Sequence, residues 1–246
     1  AVRVDAERLS EWESAIHASG DQDAYFRKHT SVSRSQVVDF LSIDADNPSS
    51  IVSCVEIARE NARAVRNALT TNMWETVNGL WLELPRFQRQ QMTTARLIEL
   101  VDWVKDRVSR FHGGAATAMV RRDGYHFTRI GQFMERADNT ARLLDVKYHV
   151  RLPSVADVGG VVDYYQWLAI LRTVDARRAY RALYHGQVDA GQVAELLISR
   201  LEFPRSLAYC YQMITRHLDA IEQRDERLTA EARRRAHTLY SDLRFA

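Results

Sequence analysis

The sequence predicts an all-α fold, an irregular bundle of about nine helices that forms a single domain over residues 1–246. Only 10 glycines and 4 prolines occur in the chain, which is too few for the many turns of an all-β fold. Apolar residues recur at spacings of three and four along almost its whole length, the period of amphipathic helices. No Pro-rich or Ser-rich linker divides the sequence, and this favours one domain.

The predicted helices follow one another with recognisable starts and stops. They cover residues 3–18, 33–44, 50–69, 73–84, 95–111, 125–149, 161–186, 190–199, 205–221 and 229–243. Several are preceded by a residue whose side-chain oxygen can cap the helix: Ser49 or Ser50, Asn72, Thr93 or Thr94, and Asp189. The helix of 95–111 is expected to end at Gly113 and Gly114, because glycine is the common residue after a helix. Residues 161–186 are expected to form one long helix.

Charged residues flank the apolar face of the helix that contains residues 129–148, RIGQFMERADNTARLLDVKY. At about 100° per residue, the apolar side comprises Ile130, Phe133, Met134, Ala137, Ala141, Leu144 and Tyr148. One flank of that side carries Glu135, Asp138, Arg142 and Asp145. The other flank carries Arg129, Arg136 and Lys147. Asp138 and Arg142 have the spacing and order of a favourable intrahelical ion pair.

A weak internal repeat places Ile51 over Ile130, an offset of 79 residues. Each copy has a Glu and an Arg seven positions apart, Glu56 with Arg63 in the first and Glu135 with Arg142 in the second. If the two helices packed together, Glu56 would pair with Arg142 and Glu135 with Arg63. Glu135 is therefore expected to be at least half buried and to contact an arginine of another helix.

Composition and motifs exclude several function classes. A net charge of +2 gives no indication of nucleic-acid binding, and no apolar run approaches the roughly 18 residues of a membrane helix. No glycine-rich phosphate loop follows a strand, and no Glu-x-x-His motif supports a di-metal site. We therefore expect no cofactor and no metal. Cys54 and Cys210 are expected to be reduced, buried thiols, typical of a cytoplasmic protein.

Arginines are the best candidates for a functional site, because their planar guanidinium groups bind carboxylates and phosphates at two points. The candidate anion-binding residues are Arg59, Arg66, Arg129 and Arg205. A second interpretation is structural: arginines pair with neighbouring carboxylates and brace the bundle. The residues of that ion-pair network are Glu56, Arg63, Glu135, Arg136, Asp138 and Arg142. The sequence favours the structural interpretation and indicates no catalytic residue.

Segment 131–148, GQFMERADNTARLLDVKY, resembles the signature of the alpha-E family, an all-helical domain named for its Glu-Arg motif. The likeness extends to residues 47–69, 166–173, 179–184 and 201–210. Members of that family usually open with a further helix that bears a Glu-Arg motif. The present chain begins downstream of where that helix would be, so it is expected to lack it.

The resemblance implies a function indirectly. Alpha-E domains of bacteria occur beside, or fused to, circularly permuted ATP-grasp proteins, often near a transglutaminase-like protease. The family therefore implies an accessory domain that binds an ATP-grasp-type ligase, in the same polypeptide or a separate chain, or presents its peptide substrate. Such a domain would have no catalytic activity alone. The alternative is an enzyme that acts on a peptide or amide product through an Arg-lined helical pocket.

Overall fold

The structure, a computed structural model, describes residues 11–89, 91–147, 159–222 and 226–245. Those residues contain no strand, which confirms the all-α class, but they contain more helices than predicted. One short 3-10 helix, Arg66–Ala68, accompanies the α-helices. The α-helices are α1 Glu11–Ser19, α2 Gln22–Lys28, α3 Arg34–Ser42, α4 Ile51–Ala64, α5 Thr71–Glu83, α6 Pro85–Gln88, α7 Thr94–Ala118, α8 Asp123–Asp145, α9 Val161–Thr173, α10 Arg177–Leu183, α11 Ala190–Ile198, α12 Leu207–Glu222 and α13 Glu226–Phe245.

The described chain divides into two compact units, and the boundary falls near the beginning of α8. One unit comprises residues 11–125, and the described part of the other begins at His126. The start of the predicted first helix, residues 3–10, lies outside the described residues, as does Tyr148 at the end of the predicted apolar face.

Helix starts in the first unit are set by side-chain caps. Ser50 accepts a hydrogen bond from the Ser53 amide at the start of α4, and Thr93 caps α7 in the same manner. Both caps were predicted. The predicted Asn72 cap is wrong, because α5 begins earlier and Thr70 caps it. Within this unit α5 packs against both α4 and α7, around a core that includes Leu80 and Leu100.

Helix α7 passes through the two glycines that were predicted to end it. It continues from Gly113 and Gly114 to Ala118. A glycine inside a helix costs only about 1 kcal/mol relative to alanine, so it does not by itself end a helix. A Cβ on Gly114 would lie 3.2 Å from Cγ of Met73, which is fully buried. The glycine therefore allows α7 to approach α5 closely.

The second unit contains two apolar clusters. One is formed by α9, α10 and α11 around residues such as Trp167, Tyr180 and Leu196. The other is formed by α8, α12 and α13, where Phe133, Ile214 and Ala236 are buried. Asp189 caps α11 as predicted, by accepting from the Gln192 amide.

The predicted long helix of 161–186 is instead two helices, α9 and α10. Asp175 lies between them with a φ of 54°, in the left-handed region. Asp and Asn enter that region more readily than other non-glycine residues, so the reversal is compatible with this sequence. The chain reverses at this point, so α10 packs against α9, and both helices contribute to the same apolar cluster.

The buried face of α8 is rotated slightly from the predicted one. Ile130, Phe133, Ala137 and Leu144 are buried as predicted, but Met134 is 56% exposed. Ala141 is exposed as well, and Thr140 is buried in place of these two. A buried hydroxyl needs a partner, and Thr140 donates to the Arg205 carbonyl at 2.9 Å. The rotation brings the Arg136 flank of α8 toward the core.

Candidate functional site: an arginine cluster on α8

Two arginines of α8 lie on either side of one buried aromatic ring. Arg129 and Arg136 are two helical turns apart, and Phe133, 1% exposed, lies between them. Their guanidinium carbons lie 4.8 and 5.6 Å from the centre of the Phe133 ring. This is within the range of cation–π attraction, so the ring orients both side chains without neutralising them.

Arg205 supplies a third positive charge from the segment before α12. The hydrogen bond from Thr140 to its carbonyl fixes this segment against α8. Burial, followed by the positive charges of Arg205 and Arg129, holds the pKa of Arg136 below its ordinary value. We call Arg129, Arg136 and Arg205 the arginine cluster.

No carboxylate among the described residues forms an ion pair with the arginine cluster. Arg129 donates to the side-chain oxygen of Gln132, while its buried Nε has no hydrogen-bond partner. Two acids of α8 that lie near Arg136 in sequence have other partners: Asp138 pairs with Arg142, and Glu135 accepts from Asn139. The cluster therefore has the chemistry of an anion-binding site, with positive charge that its own side chains do not neutralise.

The thiol beside the cluster is chemically inert. Cys210 is fully buried, and burial raises the pKa of its thiol to about 11 even though Arg136 and Arg205 oppose that shift. The thiol is therefore protonated at neutral pH and a poor nucleophile. The ring of buried His217 stacks on the ring of Phe133, with 6.2 Å between the ring centres. Nδ1 of His217 lies 3.0 Å from Nδ1 of His126.

The predicted role of Glu135 is wrong. Glu135 is exposed and accepts a hydrogen bond from Asn139, one turn along its own helix, at 3.0 Å. The apolar stripe of α8 passes on the other side of the helix, so the glutamate of the Glu-Arg pair faces out while Arg136 faces partly inward. The predicted pair of Asp138 with Arg142 is confirmed at 2.7 Å.

The candidate residues of the first unit are not members of the cluster. Glu60 pairs with Arg59 at 2.7 Å and with Arg63 at 3.7 Å. Arg59 also lies 4.0 Å from the centre of the Trp81 ring. Arg66 lies 5.1 Å from the centre of the Trp74 ring, and Glu56 is exposed. Arg63 and Arg142 each have an acidic partner one turn away in their own helices, Glu60 and Asp138.

A buried ion pair at the end of α8 was not predicted. The Lys147 ammonium donates to Asp163 of α9 and to the side-chain oxygen of Gln166. Lys147 is 1% and Asp163 4% exposed. The Gly159 amide donates to the other Asp163 oxygen at 3.0 Å. The sequence signal was present but weak, an aspartate in the first turn of a hydrophobic helix and a lysine at the edge of an apolar face.

An apolar cleft of about 580 Å³ lies on the other flank of α8, bordered by α12 and α13. Met134 and Leu239 line it, and they are 56% and 44% exposed. Ala137 and Ala141 form its base, and Asp138 and Asp242 are its acidic residues. The small side chains of the base leave room for an apolar side chain from outside.

The two cysteines differ in environment. Neither forms a disulfide. Cys210 is buried as predicted, but the predicted burial of Cys54 is wrong, because Cys54 is exposed on α4. Among the described residues no group of three or more His, Cys, Asp or Glu side chains is placed to hold a metal ion. None of the described helices combines the length and apolar character that a bilayer crossing requires.

Comparison with known proteins adds one match. The model of a family named Alpha-E, described as a predicted alpha-helical domain with a conserved ER motif, matches residues 1–246. Neither a curated protein nor a solved structure matches the chain. Glu135 and Arg136 form one of the Glu-Arg dipeptides of this chain, with the glutamate exposed and the arginine partly buried.

Proposed function

The chain belongs to the Alpha-E family, and from this premise we propose that it is an accessory, anion-binding domain of an ATP-grasp ligase. In this proposal it binds the carboxylate or acyl phosphate of a peptide during peptide or amide synthesis, and the ligase performs the chemistry. The single observation that carries the proposal is the uncompensated charge of the arginine cluster. The partnership with the ligase rests on the family resemblance.

The chemistry of an ATP-grasp reaction suits such a site. A carboxylate is first converted to an acyl phosphate, so substrate and intermediate are both anions. Guanidinium groups bind carboxylate and phosphate oxygens through paired N–H donors, and they keep their charge throughout the physiological pH range. Partial burial of Arg136 strengthens that interaction, because the effective dielectric constant falls away from bulk water.

The apolar cleft supports the protein-binding part of the proposal. It places the exposed side chains of Met134 and Leu239 on a surface that also carries Asp138 and Asp242. We propose that a basic amphipathic helix of the ligase occupies it, with its apolar face on the methionine and leucine and a basic residue beside Asp242, since Asp138 already pairs with Arg142. Anion binding and ligase binding would then use opposite flanks of α8.

One observation favours the alternative, an enzyme in its own right. His126 and His217 form a histidine pair beside Phe133, the ring that also orients Arg129 and Arg136. Such a pair could transfer a proton to or from a bound anion. Cys210 argues against a thiol nucleophile, because its raised pKa keeps it protonated.

The test of anion binding is calorimetric titration with inorganic phosphate and with a short peptide that ends in glutamate. We expect saturable binding of both by the wild-type protein and at least a tenfold loss of affinity in Arg136→Gln, about 1.4 kcal/mol. The matched control is Arg142→Gln, which removes an arginine of the same helix that already pairs with Asp138. Equal affinity in wild type and Arg136→Gln would refute the site.

A second measurement separates the accessory role from the enzymatic alternative. Turnover of a peptide acid and an amine with Mg-ATP is followed with the ligase alone, with this protein alone and with both. We expect turnover to require the ligase, to rise when this protein is added, and to fall in Met134→Asp and in Arg136→Gln. Turnover by this protein alone that is lost in His217→Gln would favour the enzyme.

A further inference from the structure

A second, smaller cavity lies between α9, α10 and the segment that follows α10. Its volume is about 180 Å³, below the roughly 300–1,000 Å³ of pockets for drug-sized ligands. Leu168, Leu171 and Val188 provide the apolar part of its lining, and the rest of the lining is polar. The cavity belongs to the apolar cluster of α9, α10 and α11, not to the arginine cluster.

Two arginines give this cavity its charge. Arg177 and Arg181 are one turn apart on α10, so they lie on the same face of that helix, and both line the cavity. Among the residues that the structure describes, no acidic side chain lines the cavity and no carboxylate forms an ion pair with either arginine. Tyr164 of α9 adds an aromatic side chain to the wall.

The segment that follows α10 forms the wall that faces this helix, and the hydroxyl of Tyr180, a residue of α10, holds that segment in place. This hydroxyl accepts a hydrogen bond from the Asp189 amide at 2.9 Å and donates to the side-chain oxygen of Gln192 at 2.7 Å. Tyr180 itself is 1% exposed. Gly186 takes a φ of 151°, which an L side chain rarely adopts, and so allows the chain to turn into this wall. The cavity is therefore built before a ligand arrives, and binding would order little additional chain.

We infer that this cavity binds a small aliphatic carboxylate, whose two oxygens pair with Arg177 and Arg181 while its hydrocarbon chain lies on the leucines and Val188. Inorganic phosphate could pair with the two arginines but has no hydrocarbon part to lie on the leucines and Val188, so we expect it to bind more weakly. The volume disfavours a nucleotide. This site is independent of the proposed function, because it shares no residue with the arginine cluster.

The probe is pentanoate, titrated into the purified protein and followed by calorimetry, with pentanol and inorganic phosphate as matched controls. We expect saturable pentanoate binding, at least a tenfold weaker response to either control, and a tenfold or greater loss of pentanoate affinity in the double variant Arg177→Gln/Arg181→Gln. The variant Arg136→Gln should bind pentanoate as the wild type does, which separates this site from the arginine cluster.

A second variant distinguishes a shaped cavity from general positive charge. Leu168→Phe leaves both arginines in place but fills the apolar part, so pentanoate affinity should fall while circular dichroism remains that of the wild type. Unchanged affinity in both the double variant and Leu168→Phe would overturn the inference. Phosphate binding as tight as pentanoate, or pentanol binding as tight as pentanoate, would overturn it as well.

Discussion

The guanidinium of Arg136 is partly buried beside two further arginines, and none of the described carboxylates pairs with it. Burial and like charge both disfavour the guanidinium, so the native protein gives up stability to keep it there. We expect Arg136→Met to melt higher than the wild type by about 2–4 °C, the shift that about 1 kcal/mol produces in a chain of this size. Methionine keeps an apolar contact with Phe133.

The control for this substitution is Arg142→Met, which removes one partner of an exposed ion pair with Asp138. Such pairs contribute about 0–1 kcal/mol, so its melting temperature should stay close to that of the wild type or fall slightly. A lower melting temperature for Arg136→Met than for Arg142→Met would show that Arg136 stabilises the fold and does not strain it.

The sequence identified Arg129 and Arg205 as anion-binding candidates but assigned Arg136 to an ion-pair network, for which the described residues give it no acidic partner, and it could not show which charges are buried. Positions 134 and 140 lie at opposite edges of the stripe of α8, and a methionine appears the better core residue of the two. The structure buries Thr140 instead, because its hydroxyl has a partner in the Arg205 carbonyl. That partner lies 65 residues away, and no local pattern reveals it.

Among elements, the end of α8 and the start of α9 are joined by the buried pair of Lys147 and Asp163. Removing one partner of a buried pair leaves an uncompensated charge and costs about 3–5 kcal/mol. We expect Lys147→Met to lower the free energy of unfolding by that amount in urea denaturation at neutral pH. Lys147→Met/Asp163→Leu, which removes both charges, should recover most of the loss. A double variant no more stable than the single one would contradict this account.

The same pair makes stability depend on acid pH. Burial alone would raise the pKa of Asp163, but the hydrogen bonds from Lys147 and the Gly159 amide, with the Lys147 charge, hold it below its ordinary value. A carboxyl with a lowered folded-state pKa contributes stability above its unfolded pKa of about 3.9 and loses it as the pH falls through the folded value. Below about pH 4 the wild type should therefore lose stability more steeply than Asp163→Asn, as measured by urea denaturation across that range.

Helix ends were the least predictable feature at this scale. Ser50, Thr93 and Asp189 were identified as caps because their hydroxyl or carboxylate bonds with an amide a few residues ahead, a local interaction. The ends at Gly113 and near Asp175 depend on packing instead. Helix α7 continues past its glycines because Met73 packs closely against Gly114. Helix α9 stops because the chain folds back and α10 packs into the same apolar cluster as α9.

For the whole molecule, the all-α class followed from the scarcity of glycine and proline and from the helical period of the apolar residues. The division into two units did not, because its boundary lies within the continuous helix α8, where no linker composition marks it. Gly113 and Gly114, the closest sequence approach to a phosphate-binding loop, lie inside α7, where the helix's own hydrogen bonds engage their backbone.

We therefore expect the isolated protein to hydrolyse no ATP. Incubation with Mg-ATP, a peptide acid and an amine should release no ADP or AMP above the level of a buffer blank. The control is the same mixture with an ATP-grasp partner, where nucleotide release should appear. Release by this protein alone that survives further purification would overturn the accessory role.

Because the two thiols differ in exposure, the wild-type protein can be labelled at a single cysteine without any substitution. Cys54 is exposed on α4, whereas Cys210 is fully buried and burial raises its pKa to about 11. Maleimides react with the exposed thiolate and not with a buried, protonated thiol. A fluorophore or spin label added to the native protein should thus attach at one position. Mass spectrometry after tryptic digestion should find it on the peptide of Cys54, and a second adduct should form only after unfolding in denaturant.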